Sequence, residues 1–460
     1  MLREWQKRCV KQVLERYQHQ PDALVLATPG SGKTIMASYV AKALLNKRKV
    51  DYVICFSPSK VVCHSIQKTF RHTLKRPFNG QLGALGTSLT YHSMANINEL
   101  LSNLSLSRVL VIFDEIHHCA GDGESPSNTW GIQLLSTIQK LATYTLSLTG
   151  TPWRTDTLPI PLARYSDPEG NIQCDFSYGL NEAINDSVCR VPFITAIDTD
   201  QVMVRKGQES KTYHNISELL ESGDISYRMI LKQPEVITYM LSLSIQKLDK
   251  LRINSPNSGG LIVASSYQHA LQIQSILYGH FGKEATLVSY RLDDSPELIN
   301  RFREDTSEWI ISIAMISEGT DIPRLQVCCN LTDVTTELYF RQILGRILRM
   351  TNSQTTIGYM FILAEPNLVE YAECLNETIP GAYNYKKTEK LIDSVDIVDT
   401  TEGNQNAHND TQQFTPEIDI NNFISSDNQE TLEYSALTEL SMHSFKSRII
   451  SFYTTPERTF

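Results

Sequence analysis

Short apolar and β-branched runs recur along the chain, separated by stretches long enough for a helix: ALVLA from 23, DYVICFS from 51, VLVIFD from 109 and TLSLTG from 145. That rhythm predicts parallel strands joined by helical crossovers. A second series, GLIVAS from 260, ATLVSY from 285, EWIISIA from 308, LQVCCNL from 325 and GYMFILA from 358, predicts another sheet of the same kind. The expected fold class is therefore α/β, with two tandem parallel-sheet domains. Residues 154–255, with PIPLARYSDPEG, FSYGLNEAINDSVCRVPF and a helical run around 226–251, are assigned to the connection and the edge of the second domain. The boundaries drawn are 1–178, 179–365 and a C-terminal extension, 366–460.

Two domains also follow from size. At 460 residues, 41% hydrophobic and 20% charged, the chain exceeds one ordinary core and has the composition of a soluble globular protein. No apolar run is long enough to span a membrane. The opening MLREWQKRCVKQVLERY lacks the basic and apolar regions of a signal peptide, so a protein that is not exported is expected. Nine scattered cysteines without a C-x-x-C pair suit free thiols in a reducing cytoplasm and argue against a zinc ribbon.

The net charge of −9 is unevenly placed. Residues 366–460 hold 6 Lys or Arg against 16 Asp or Glu, which leaves 36 basic and 35 acidic residues in 1–365. The first 365 residues are thus compatible with a polyanionic partner if their basic groups cluster. The stretch DTTEGNQNAHNDTQQFTPEIDINN reads as a mobile linker. Beyond it, LEYSALTELSMHSFKSRIISFY places apolar residues at 432, 437, 440, 445, 449 and 452, a spacing that suggests a helix, packed either on a partner or on its own protein.

Three motifs carry chemistry. In ALVLATPGSGKT a strand ends in a glycine turn that opens a helix, so the backbone of Thr28, Pro29, Gly30, Ser31 and Gly32 can converge on phosphate oxygens. Lys33 supplies a point charge and Thr34 a hydroxyl for Mg²⁺. Ala27 departs from the glycine of the strict pattern. In VLVIFDEIHHCAG an apolar strand ends in Asp114 and Glu115, suited respectively to holding Mg²⁺ and to orienting an attacking water. His117, His118 and Cys119 are too crowded for one tetrahedral zinc site. The third motif is YFRQILGRILRM, residues 339–350, where helical geometry gathers Gln342, Arg346 and Arg349 into an arc of roughly 60° and leaves Arg341 outside it.

Taken in order, ATPGSGKT, DEIHH, LTGTPWR, SEGTDIP and QILGRILR resemble superfamily 2 helicases. The resemblance is to the DEAD/DEAH-like group that includes DNA-repair helicases and the motor subunits of type I and III restriction enzymes. It covers residues 1–365 and implies two RecA-like domains with ATP and Mg²⁺ bound between them. It further implies that Arg3 and Gln6 of LREWQ read adenine, while Trp5 is either close to the base or core. Pro58, Ser59, Thr90 and Tyr91 would grip the strand backbone, although His64 and Ser65 stand where relatives often have Gln and a bulky aromatic. Thr149 and Thr151 would link hydrolysis to strand movement. Gly319, Thr320 and Asp321 would present backbone, hydroxyl and carboxylate to nucleic acid and ribose. Lys33, Glu115, Gln342, Arg346 and Arg349 would be the catalytic set.

The function so implied is an ATP-dependent translocase or helicase on DNA, with RNA not excluded, moving 3′ to 5′. Two further readings stay open: an ATP-gated clamp on nucleic acid or a partner, and the motor of a repair, restriction or defence system docked through residues 366–460.

Overall fold

The computed structural model describes residues 2–91, 93, 104, 107–116, 138, 142–150, 164–165, 172–206, 209–289, 291–292, 294–313, 322–350, 356–378 and 438–451. The expected runs form strands, with helices between them. The first lobe contains α1 (Glu4–Arg16), β1 (Asp22–Ala27), α2 (Lys33–Asn46), β2 (Tyr52–Ser57), α3 (Lys60–Leu74), β3 (Gly86–Thr90), β4 (Val109–Asp114) and β5 (Tyr144–Thr149). A ribbon of β6 (Arg164–Tyr165) and β7 (Ile172–Gln173) precedes β8 (Phe176–Tyr178). The main sheet runs β3-β2-β4-β5-β1-β8 and is parallel throughout.

The second lobe begins with α4 (Leu180–Asn185), the long β9 (Val191–Lys206), β10 (Glu209–Tyr213), α5 (Ile216–Glu221), α6 (Tyr227–Leu231) and α7 (Pro234–Asn254). It continues through β11 (Gly259–Ala264), α8 (Tyr267–Phe281), β12 (Ala285–Ser289), α9 (Ser295–Glu304), β13 (Trp309–Ile313), β14 (Leu325–Leu331), α10 (Glu337–Ile347) and β15 (Ile357–Leu363). Then come α11 (Pro366–Thr378) and β16 (Thr438–Ser451). Its sheet runs β10-β9-β15-β14-β11-β13-β12, with β10 and β16 antiparallel to β9 and the other pairs parallel.

A parallel sheet sends the carboxyl ends of its strands to one edge, where the loops that follow can form a site. In the first lobe the registers Leu26↔Thr149, Leu148↔Asp114 and Ser57↔Thr90 align those ends within a residue or so. One continuous hydrophobic cluster then joins the lobes, containing Val25, Met36 and Leu148 of the first and Leu261, Ile343 and Ile347 of the second.

One region is sharper than the sequence reading and one differs from it. The region assigned to the connection and the edge of the second domain contains β9, a strand of the second sheet paired with β15 from Ile357↔Val191 to Leu363↔Ile197. The C-terminal segment predicted as a docking helix is the strand β16, paired with β9 from Thr438↔Lys206 to Ser451↔Ile194. Within it Ser444 sits at φ 59°, and Met442 and Phe445, three apart, both meet the same core cluster. The long free edge of β9 offers a backbone ladder that a helix could not use. The extension is also tied down at its start, where α11 packs on α10 through Tyr371 and Phe340. The polar linker lies outside the described residues.

Candidate functional site

Strand β1 delivers Thr28 to the sheet edge, where its N–H donates to Tyr178 O at 3.0 Å. The turn that follows depends on glycine. Gly30 has φ +81° and Gly32 φ +96°, both left-handed, and Gly32 caps the N-terminus of α2. The conformation bends the chain so that α2 starts at Lys33 with its positive end toward the turn. The Ser31 hydroxyl oxygen is fully buried and has no hydrogen-bond partner among the described residues.

Lys33 is 8% exposed, and its Nζ donates to Glu115 Oε1 at 2.5 Å. The other oxygen, Oε2, accepts from Gly150 N–H at 2.9 Å. Glu115 itself sits at φ 53°, a conformation that costs a non-glycine residue about 1–3 kcal/mol and persists only where surroundings impose it. Its neighbour Asp114 is buried at the end of β4, and Thr34 is half-buried in the first turn of α2. Hydroxyl and carboxylate are the hard oxygen donors that Mg²⁺ takes.

Arg3 and Gln6 close the loop from behind. Arg3 Nη1 donates to Ser31 O at 2.7 Å and Gln6 Nε2 to Gly32 O at 3.0 Å, while Gln6 Oε1 accepts from Arg3 N–H. Trp5 is core: it is fully buried and stacks on Tyr178 with centroids 4.5 Å apart.

The second lobe reaches this loop directly. A Cβ placed on Gly345, within α10, would stand 2.7 Å from Pro29 Cβ, and one on Gly30 would stand 3.0 Å from Arg349 Cγ. Cys189 Sγ lies 3.8 Å from Pro29 O, its thiol pushed up to about 11 by burial. Gln342 and Arg346 lie on α10, partly buried. Arg349 does not. The helix ends at Ile347 with Leu348 as its cap, and Arg349 pairs in an isolated antiparallel bridge with Cys189. The predicted helical arc therefore stops short of Arg349, which reaches the loop from extended backbone instead. Arg341 is turned to Glu337, 2.8 Å away on its own helix.

The strand-grip candidates also cluster at the first lobe's edge, with their polar atoms engaged. Ser59 Oγ caps α3 by accepting from Val62 N–H, Thr90 Oγ1 pairs with Ser93 Oγ, and Tyr91 Oη donates to Asp114 O at 2.8 Å. Pro58 begins the turn between β2 and α3. Gly319, Thr320, Asp321, Thr151, His117, His118 and Cys119 lie outside the described residues, while Thr149 is fully buried at the end of β5.

Two residues at this site escaped sequence reasoning. Arg190, 1% exposed, donates from Nη1 to Leu325 O (2.8 Å) and Ile347 O (3.0 Å) and from Nη2 to Pro323 O (3.3 Å), while its own N–H donates to Leu348 O (2.7 Å). It thereby satisfies a carbonyl that the end of α10 leaves open; burial brings its guanidinium down to about 10. No motif marks it. Gly345 did leave a signal, since a glycine inside an otherwise helical stretch needs a reason.

This geometry defines a class. Two parallel-sheet lobes, a glycine turn with a buried lysine, a carboxylate pair beside it and an arginine-bearing segment from the other lobe make a superfamily 2 helicase-like fold. Residues 1–154 match the family model described as type III restriction enzyme, res subunit. The uncharacterized protein Rv2917 of Mycobacterium tuberculosis is 33% identical over 392 residues, covering 81% of this chain, and ML1624 of Mycobacterium leprae is 33% identical over 389. The chain spans 63% of the length of each. Among solved structures, a fragment assigned to the HsdR subunit of a type I restriction enzyme from Vibrio vulnificus matches with TM-score 0.55 and 14% identity, over 80% of this chain and 65% of that one. The type ISP restriction-modification enzyme LlaBIII bound to DNA matches with TM-score 0.53 and 16% identity, over 80% of this chain and 28% of that one. S. cerevisiae Dbp5 bound to RNA and ADP BeF3 matches with TM-score 0.52 and 14% identity, over 82% and 87%. Residues 1–154 thus resemble the res subunit of type III restriction enzymes, and the chain shares with these solved structures a two-lobed α/β fold of the kind that implies nucleotide binding. No helix among the described residues is long and apolar enough to cross a membrane.

Proposed function

We propose that the protein is a nucleic-acid-dependent ATPase that couples hydrolysis to movement along a strand, with DNA as the track. The observation that carries this reading is the direct packing of Gly345 and Arg349 of the second lobe on Pro29 and Gly30 of the first. A nucleotide held by that turn is shared between lobes, so its hydrolysis can open and close them.

The residues present fit ATP with Mg²⁺. The buried Ser31 hydroxyl and the glycine-lined turn suit phosphate oxygens, and Thr34 with Asp114 would hold the metal, whose charge offsets that of the phosphates. Lys33, drawn to the phosphates, would release Glu115. Glu115, still fixed by Gly150 N–H, would then orient the attacking water. Arg346 and Arg349 would neutralise charge as the phosphoryl group leaves, an effect worth about 10³ to 10⁵ in rate for a complete arginine finger. Arg3 and Gln6 hold the loop's carbonyls and would read adenine. Strand contacts through Pro58, Ser59, Thr90 and Tyr91 would lean on phosphates and ignore base sequence.

An ATPase titration with single-stranded DNA, duplex DNA and RNA tests the reading. Turnover rises with DNA if it is right; turnover indifferent to every nucleic acid refutes it. Single-strand translocation assays separate a motor from an ATP-gated clamp.

A further inference from the structure

Helix α3 carries charge that the nucleotide site does not use. Between Asp51 and Glu99 the sequence has no Asp or Glu, yet it includes Lys60, Lys68, Arg71, Lys75 and Arg76. On helical geometry Lys60, His64, Lys68 and Arg71 fall within an arc of about 80°, and Lys75 and Arg76 extend the row past the helix end. All are exposed. No carboxylate of a described residue lies within 4 Å of these five cations, whereas Lys7, Lys206, Lys211 and Lys283 each have one. Between α3 and the chain at 75–79 runs a groove of about 880 Å³, lined by His64, Lys68, Arg71, His72, Lys75 and Arg76 among others.

Exposed cations with no described carboxylate beside them are available to a polyanion, and set in one row they offer it a continuous positive track. The row is about 22 Å long, at 1.5 Å per residue. It begins beside Pro58 and Ser59 at the sheet's carboxyl edge and runs away from that edge, so a polyanion leaving the edge would be followed phosphate by phosphate.

We propose that the α3 face is a second nucleic-acid site, binding the phosphate backbone that flanks the strand held at the sheet edge. The choice of nucleic acid as the polyanion rests on the motor reading, but binding here needs no nucleotide. The test is equilibrium binding of labelled single-stranded DNA and duplex DNA without ATP, across a salt series, for the wild-type chain and a Lys68→Gln/Arg71→Gln/Lys75→Gln variant, with nucleic-acid-free ATPase as the control for folding. Loss of three phosphate contacts lowers the slope of log K against log salt by about 2.7 on duplex or 2.1 on single strand, and weakens binding at least about tenfold at low salt. Whichever DNA shows the loss identifies the flanking form. Unchanged slope and affinity on both overturn the proposal, as does a variant that keeps DNA binding but loses binding to polyglutamate, which would make the partner an acidic protein. A wild-type chain that binds DNA through this face without raising ATPase leaves this inference standing and removes the motor reading.

Discussion

Gly345→Ala probes whether the two lobes must touch at Pro29. The added Cβ would lie 2.7 Å from Pro29 Cβ and 3.3 Å from Cγ, against 3.4 Å or more for ordinary contact, so loop and helix must part by about 0.7 Å. Neither partner can rotate away: one is a proline ring, the other a methyl on a helix. A misplacement of about 1 Å costs on the order of 10²-fold in rate, so turnover should fall roughly 10- to 100-fold. Helix propensity moves the other way, since alanine in a helix interior gains about 0.5–1 kcal/mol over glycine. Gly279→Ala in α8 is the matched control, with nothing within 4 Å of its new methyl. It should gain the same propensity and leave turnover alone. Steady-state ATPase with saturating DNA, nucleotide binding by a fluorescent analogue, and thermal melts would be measured together. A Gly345→Ala protein with turnover within twofold of wild type would refute the reasoning, because hydrolysis would then not require this contact.

Arg346→Ala should abolish turnover while nucleotide binding survives; loss of both in the same binding and ATPase measurements would assign Arg346 another role. Arg190→Lys keeps a charge but cannot reach all three carbonyls, so it should lower kcat more than it raises the KM for ATP, and Arg190→Met should be worse, with carbonyls at about 1–3 kcal/mol each left unsatisfied. Equal effects of Arg190→Lys on kcat and on thermal stability alone would argue for a merely structural role. Burial holds His269 down at about 4, against 6.5 for a free imidazole. The unfolded chain therefore takes up the extra proton between those values, and stability falls as pH drops from about 6.5 to about 4, by up to about 3 kcal/mol. Urea melts of His269→Asn should show a shallower acid loss than wild type; parallel pH profiles would contradict it.

The strands were legible because each apolar run is bounded by polar or glycine residues and buries nearly all its side chains, as in β4 and β11. β9 was not named as a strand, since it lies in the region assigned to the connection and the second domain's edge and its burial fades along its length. β16 was misread for a subtler reason. Met442 and Phe445, three apart on either side of a left-handed serine, both meet one core, a step an alternating strand does not give, and the pairing with β9 is what makes the segment a strand.

At the site, legibility followed locality. Lys33, Thr34, Asp114 and Glu115 announce themselves because a strand end and a turn are encoded by adjacent residues. What the second lobe adds depends on non-local contacts. Arg349 reaches the loop through a bridge to Cys189, 160 residues away in sequence, and Arg190 holds the end of α10 from inside the core. The angular argument from QILGRILR set Gln342, Arg346 and Arg349 on one helix, whereas the helix stops before Arg349. On the proposed function that ending has a use. A rigid helix would fix Gln342, Arg346 and Arg349 as one body, whereas a break at Leu348 lets the bridge to Cys189 and the buried Arg190 set the position of Arg349 separately. Closure of the lobes would then have to satisfy two anchored segments at once, which would make hydrolysis a stricter report of the closed state than one helix could give.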